Sequence, residues 1–391
     1  MFSERTNWKL AQNRFTQTLE EVRASGAKIL DLTVSNPTRI GLHYDEPAIL
    51  GALASPRTLD YDPQSKGLRE ARAAVAEYYA EEHGVRGMDA ERIILTTSTS
   101  EGYSFVFRLL CNAGDELLVP KPSYPLFEFL ADLQDVKLTP YELIYDHGWQ
   151  MDFPSLQNGV SERTRGVVVV HPNNPTGSYV QAAEMKMLNS FCAEHRLAVI
   201  ADEVFLDYRL GNTVHASFAG NREVLTFSLS GLSKIAALPQ MKVAWLVTSG
   251  PEGDVREAMG RLDVIADTYL SMNTPLQWAT PALLAQRESI QPQLLLRVKQ
   301  NLTELDRQLG AQQACQRLTV EGGWYAVLRV PVTQPDEEFA IELLREKFVL
   351  VHPGHFYDFP SDGYLVVSLI TPPLEFSAGV SALLKTFGAM C

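Results

Sequence analysis

Lys234 ends the stretch Ser228-Leu229-Ser230-Gly231-Leu232-Ser233-Lys234, a lysine set among small hydroxyl and glycine residues. Upstream lie Asp-Glu-Val-Phe at 202–205 and Asn-Asn-Pro-Thr-Gly at 173–177. A lysine amine can condense with an aldehyde to a Schiff base, and a freed amine can carry a proton between neighbouring carbons. Asp202 terminates the apolar run Leu197–Ala201, where a carboxylate is costly to bury unless a cation partners it. A pyridine nitrogen that keeps its proton is such a cation, and the protonated ring becomes an electron sink for a carbanion. Thr96-Thr97-Ser98-Thr99-Ser100-Glu101-Gly102 follows another apolar run. Hydroxyls and backbone amides at a helix start there suit a small phosphate. Taken in order, the set is what pyridoxal phosphate chemistry needs.

Elements must bring these residues together. Ile93–Thr97, Leu117–Pro120, Gly166–His171, Ala198–Asp202, Leu225–Leu229 and Val243–Val247 read as buried strands. The stretches 101–112, 125–134 and 181–195 carry a helical period. Alternation of this kind predicts an α/β fold, a mostly parallel sheet between helices, whose ligands sit beyond the carboxyl ends of the strands. Thr97–Ser100, Asn173–Gly177 and Asp202 all fall at such ends. After about Asp267 the pattern changes. Leu283–Leu309 reads as one long connecting helix, followed by a strand within Gly323–Val330, a helix near 337–347 and a strand at Tyr364–Leu369. The expected division is an N-terminal segment (1–45) joining the smaller domain, a large cofactor-binding domain (46–275), and a connecting helix with a small C-terminal α/β domain (276–391).

Over nearly its whole length the chain resembles the fold type I pyridoxal phosphate enzymes of the class I/II aminotransferase family. The resemblance implies a Schiff base on Lys234, with Ser230 and Ser233 of the same run as cofactor contacts. It implies Asp202 on the pyridine nitrogen and Asn174 on the ring's phenolic oxygen, about 28 residues earlier. Ser98, Thr99 and Ser100 take the phosphate by family position. Tyr124, in Pro-Ser-Tyr-Pro, matches the aromatic that stacks on the ring. Tyr61 resembles a tyrosine that crosses to the partner subunit's phosphate, which implies a homodimer with shared sites. Asn173, His171 and Glu203 read as structural neighbours.

Three positions depart from the family pattern. The arginine eight residues after the lysine is Lys242, a point charge rather than a planar fork. The tyrosine three residues after the aspartate is Phe205, which removes a hydroxyl donor to the ring oxygen. Near the C-terminus, Gly363-Tyr-Leu-Val-Val-Ser-Leu369 puts Val366 where relatives carry the arginine that forks the substrate carboxylate. Arg39, in Ser-Asn-Pro-Thr-Arg, could supply that fork from the N-terminal side; otherwise the substrate lacks a carboxylate there, with Trp324 or Phe356 shaping the pocket.

Composition sets outer bounds. A net charge of −13, from 34 basic and 47 acidic residues, argues against a nucleic-acid surface. Cys111, Cys192, Cys315 and Cys391 form no CxxC pair, so a reduced, cytoplasmic chain without disulfides or zinc is expected. No apolar run reaches the roughly 18–20 residues of a membrane span. There is no GxGxxG fingerprint for a dinucleotide. The leading expectation is an aminotransferase moving an amino group from an amino acid or amine to a 2-oxo acid by a ping-pong mechanism. Another activity of the same fold type (lyase, decarboxylase or cyclase) is the alternative, since one fold hosts all of them. A non-catalytic cofactor-binding module is a third, disfavoured because Lys234, Asp202 and Asn174 are all present.

Overall fold

The computed structural model describes residues 1–8, 10–270 and 272–388; the expectation for Cys391 lies outside them. Fourteen strands are described. They are β1 (Leu30–Asp31), β2 (Ile93–Thr96), β3 (Glu116–Lys121), β4 (Lys137–Tyr145), β5 (Trp149–Met151), β6 (Thr164–Val170) and β7 (Ala198–Asp202). The rest are β8 (Thr226–Gly231), β9 (Ala244–Ser249), β10 (Gln316–Arg317), β11 (Tyr325–Arg329), β12 (Val349–Leu350), β13 (His352–Pro353) and β14 (Tyr364–Ser368). Eight of them form one sheet in the order β2-β9-β8-β7-β6-β3-β4-β5. Strands β4, β3, β6, β7 and β8 run parallel, β9 and β5 run against them, and β2, antiparallel to β9, points with the parallel set.

The central strands are apolar without alternation because both sheet faces are covered. Val167–Val169, Val199–Ala201 and Phe227–Leu229 are buried on either side. Helices Thr99–Leu110 and Glu252–Tyr269 cover one face, where Phe105, Val106 and Leu262 pack on Val168, Ile200 and Phe227. Gly102 allows the closest approach: a Cβ there would lie 2.5 Å from Leu229 Cδ2. Leu188, Phe191 and Cys192 of helix Ala182–His195 pack on the other face against Val167, Val169 and Val199.

The smaller part holds the antiparallel sheet β10-β11-β14-β13, and the N-terminal strand β1 pairs with β12 in register Leu30–Val349 and Asp31–Leu350. Two chain segments far apart in sequence therefore share one unit. The whole is a mixed α/β molecule, a mostly parallel sheet between helices with a smaller α/β part, as the strand pattern predicts.

One helix differs from its expectation. Leu283–Leu309 is two helices, Thr274–Ala285 and Arg287–Leu309. At the break the Gln286 side chain donates to Ala282 O (3.3 Å) while its backbone N–H turns to Leu283 O (3.2 Å). Arg287 is then drawn inward to Glu81 and Glu82. Strand ends also shift by a residue or two. Thr97 leaves β2 because its N–H donates to Glu101 Oε2 rather than to a strand partner. Among the described residues, no helix is long and apolar enough to cross a membrane.

Candidate active site

Four strand ends meet at one edge of the large sheet: those of β2, β6, β7 and β8. Asp202 ends β7. Its Oδ1 accepts from Val204 N and its Oδ2 from the Tyr103 hydroxyl, both at 3.1 Å. Burial pushes this carboxyl up to about 6, although Val204 N–H, Tyr103 and Lys234 each favour the charged form. Lys234 stands in the one-turn helix Leu232–Ile235 after β8. Burial lowers its amine to about 8, against the attraction of Asp202. Its Nζ lies 5.0 Å from the Trp324 ring centre and 5.5 Å from that of Phe205. An amine whose basicity is lowered and a buried carboxyl whose own is raised, in one site, are the kind of perturbed pair that marks a candidate reaction centre.

Asn174 follows β6 in a loop tied to itself and to the C-terminal part. Asn173 N donates to Ser178 O and Gly177 N to Asn173 O, each at 2.8 Å. Glu321 N and Gly322 N donate to Gly177 O at 3.1 and 2.9 Å. Gly177 has φ +70°, and a Cβ there would lie 2.5 Å from Gly322 O, so only glycine fits. Asn174 Oδ1 is buried without a hydrogen-bond partner among the described residues. By contrast Asn173 Oδ1 accepts from Thr176 Oγ1, and His171 Nδ1 accepts from Val180 N (3.0 Å) with Nε2 facing Ala216 O. Burial drives His171 down to about 3, so it is a neutral strut. Glu203 accepts from Ser217 Oγ and Phe218 N, the structural neighbour expected of it.

Helix Thr99–Leu110 begins at the same edge. Ser98 is its N-cap and accepts from Glu101 N at 3.2 Å, while Glu101 takes the Thr97 N–H and hydroxyl. Capping and anion binding coexist here: the Thr99 and Ser100 N–H groups make no hydrogen bond with the described residues and sit at the positive end of the helix. Ser230 is buried, its hydroxyl 3.4 Å from Glu203 O, and Ser233 opens the lysine's turn half-buried. Lys242 is exposed at the end of the 3-10 turn Pro239–Met241. Tyr124 is 45 % exposed, and Tyr61 is 75 % exposed.

A cavity of about 400 Å³ opens beside Lys234, lined by Ser35, Asn36, Pro37, Thr38, Pro239 and Gln240. Its lining has no charge other than the lysine. Val366 lies in the middle of β14, buried against the small-part core, so it offers no donor. Arg39 directly follows the four lining residues from the N-terminal segment; it is exposed and forms no ion pair among the described residues. The structure thus brings Lys234, Asp202, Phe205, Asn174 and the Ser98–Ser100 turn to one edge, and leaves Arg39, Lys242 and Tyr61 on the surface.

Two contributors escaped sequence reasoning. Tyr103, which holds Asp202, is one helical turn beyond Thr99, a spacing that puts it on the buried face. Tyr208, whose hydroxyl donates to Lys234 O, sits six residues past Asp202 with no local sign of its role.

The residues fit a phosphorylated pyridine aldehyde on two observations: a buried carboxyl needing a cation, and free amides at a helix start. Comparison with known proteins agrees. The profile of aminotransferase class I and II matches residues 13–372. Glutamate-pyruvate aminotransferase AlaA of Haemophilus influenzae is 27% identical over 355 residues, covering 88% of this chain and 87% of that protein. Alanine aminotransferase of Mycobacterium tuberculosis is 27% identical, covering 94% and 86%. The solved alanine aminotransferase of Pyrococcus furiosus superposes with a TM-score of 0.90 over 100% of both chains at 23% identity, which speaks to the fold. The chain belongs to the class I and II aminotransferases, and it is an enzyme, a transferase of amino groups.

Proposed function

We propose that this aminotransferase works through pyridoxal 5'-phosphate bonded to Lys234, moving an amino group from an amino acid or amine to a 2-oxo acid in two half-reactions. The observation that carries the reading is the joint burial of Lys234 and Asp202 at the sheet edge, with the amine lowered to about 8 and the carboxyl raised to about 6. When bound, the cofactor supplies an aldehyde carbon for the amine and a protonated ring that accepts electron density from the substrate α-carbon.

The chain's residues have distinct tasks. Asp202 keeps the proton on the ring nitrogen, and Tyr103 fixes the carboxylate that does so. Asn174 offers its amide to the phenolic oxygen. Ser98, Thr99 and Ser100 hold the phosphate at the helix start, with Ser230, Ser233 and Lys242 on the lysine's side. The Lys234 amine would serve as the base that moves a proton from the substrate α-carbon to the carbon it is bonded to at rest. Phe205 and Trp324 flank that amine and keep water from it. Tyr124 would stack on the ring.

The substrate carboxylate has no fork from Val366. Arg39 is positioned by sequence to reach the cavity mouth and supply two charge-assisted bonds. The names of the relatives, glutamate–pyruvate and alanine aminotransferase, support small amino acids and 2-oxo acids as the substrates to try first.

A homodimer completes the reading, with Tyr61 reaching a partner's phosphate. Leu59, Tyr61, Val264 and Leu270 are large apolar groups left more than half exposed, and Ser65 hydrogen-bonds Asp263, so the two segments form one face. A second copy would cover it. An active monomer under assay conditions by light scattering overturns this part.

The deciding experiment is a panel of amino donors with pyruvate or 2-oxoglutarate. An aminotransferase gives a donor-induced spectral change that the oxo acid reverses. Release of ammonia, a thiol or carbon dioxide identifies a lyase or decarboxylase instead.

A further inference from the structure

The helix that carries Lys234 is a single turn, Leu232–Ile235, and Ala237 follows it at φ 51°. Backbone amides reach Leu232 O (from Ala236 and Leu238) and Lys234 O (from Ala237, 3.3 Å), but none among the described residues reaches Ile235 O. Side chains from three separate elements add to these bonds. The Tyr208 hydroxyl donates to Lys234 O. Gln291 Nε2 donates to Ile235 O at 3.0 Å, and the Tyr44 hydroxyl donates to Ala237 O at 2.8 Å. Tyr208 comes from the loop after β7, Gln291 from helix Arg287–Leu309 and Tyr44 from the N-terminal segment.

Gln291 is itself held. The same Nε2 donates to Asp207 Oδ2, so both amide hydrogens are used on acceptors, and a flipped amide would set its oxygen against two of them. Asp207 is buried, its Oδ1 accepting from the Tyr78 hydroxyl at 2.8 Å and lying 3.0 Å from His83 Nε2. Asp207 is also five residues from Asp202 on one tight loop, closed by Leu206 N to Glu203 O (3.0 Å) and Tyr208 N to Phe205 O (2.9 Å). That loop therefore carries Asp202, and through Asp207 and Tyr208 it grips the turn of Lys234 as well.

We propose that Gln291, locked by Asp207, is a positioning residue for Lys234: it fixes the Ile235 peptide so that the amine keeps one location relative to Asp202. The proposal rests on Lys234 being the cofactor lysine. Gln291 touches none of the reacting atoms. Without its amide, Ile235 O and Asp207 Oδ2 each lose a donor in a buried setting, and the peptide next to Lys234 is free to turn toward another partner. A lysine that moves on a loosened turn attacks less often in the right geometry.

The test uses full-length Gln291→Leu, Gln291→Glu and Gln291→Lys. Gln293→Leu is the control, because Gln293, two residues along the same helix, bonds only His43 and Ser289. Two readouts are independent of turnover: the rate at which cofactor-free protein captures pyridoxal phosphate, and pulse acylation of Lys234 followed by peptide mass spectrometry. Gln291→Leu and Gln291→Glu should slow capture about tenfold and lower kcat with little change in KM. Gln291→Lys, which restores donors, should recover most of the capture rate, and the control should match the native protein. Native capture and acylation rates in Gln291→Leu, with only the melting temperature reduced, would overturn the proposal and leave Gln291 a structural strut. A borohydride-fixed cofactor found on another lysine in the native protein would instead remove the Lys234 reading on which it stands.

Discussion

The two sides of the site are built differently. On the cofactor side, Asp202 is gripped by Tyr103 and Val204, and Glu203 by Ser217 and Phe218, while Lys234 stands on a turn held by Tyr208. Asp202 and Glu203 there are held by hydrogen bonds from the protein itself. On the substrate side, the cavity is walled by Ser35–Thr38, Pro239 and Gln240, short polar or apolar residues on turns, and the fork position holds a buried valine. The difference follows from what each side must do. Holding one ring through a whole reaction rewards rigid, desolvated contacts, whereas a surface that selects among substrates is carried by loops that tolerate change. On the proposed reading, the first side serves the reaction common to the family, and the second leaves the substrate to be found.

Substitutions can break this contrast. The largest effect is expected from Lys234→Ala, which removes the only amine in the buried pair: turnover and the visible absorbance of bound cofactor should vanish while the far-ultraviolet dichroism stays native. A cofactor fixed by borohydride to any other lysine would refute the assignment. Asp202→Asn comes next. An amide cannot hold a proton on the ring, so kcat should fall by about 10²–10⁴, the range of a lost proton-holding group. Near-native turnover in that variant would place the ring's partner elsewhere.

The same carboxyl gives a stability test. Its folded-state pKa, about 6, lies above the ordinary 3.8, so its contribution to stability is full below about pH 4 and is lost as pH rises through 6. Glu203, raised by burial to about 7, acts in the same direction. Cofactor-free protein should therefore lose about 1–3 kcal/mol of unfolding free energy per group over that window. Asp202→Asn should flatten the lower part of the slope and Glu203→Gln the upper part. Denaturant titrations from pH 4 to 8 check it, and equal slopes in all three proteins would contradict the burial argument.

On the substrate side, Arg39→Ala should lower kcat/KM on amino acids by about 10–100-fold, the worth of one or two charge-assisted bonds, while leaving cofactor affinity unchanged. Native efficiency makes Arg39 a bystander, and a preference of the native protein for simple amines means that no fork is needed. The smallest effect belongs to Phe205→Tyr. A hydroxyl beside the ring oxygen stabilises its charged form, so the absorbance of the lysine-bound cofactor should titrate at lower pH than in the native protein. A shift to higher pH would refute the sign.

The sequence by itself determined the aminotransferase family and the sheet that hosts the candidate site. Apolar runs such as Val167–Val170 and Ala198–Ala201 can be buried only between two layers, and a lysine, an aspartate and a capped helix start at their ends had little else to do. Local signals of that kind are readable because both partners, strand and motif, lie within one short stretch. What only the tertiary structure decided is how these residues are held. The break at Gln286 depended on Arg287 finding Glu81 and Glu82, some 205 residues away in sequence. Tyr208 and Gln291 are unremarkable in their own segments and acquire a role only when Lys234's turn, the loop after β7 and helix Arg287–Leu309 meet. The N-terminal strand joins the C-terminal part through a pairing, Leu30 with Val349, that no local pattern encodes. Periodicity and motif spacing report what a segment buries; the donor that reaches a given carbonyl is set by which segments the finished packing brings within 3 Å or so of each other.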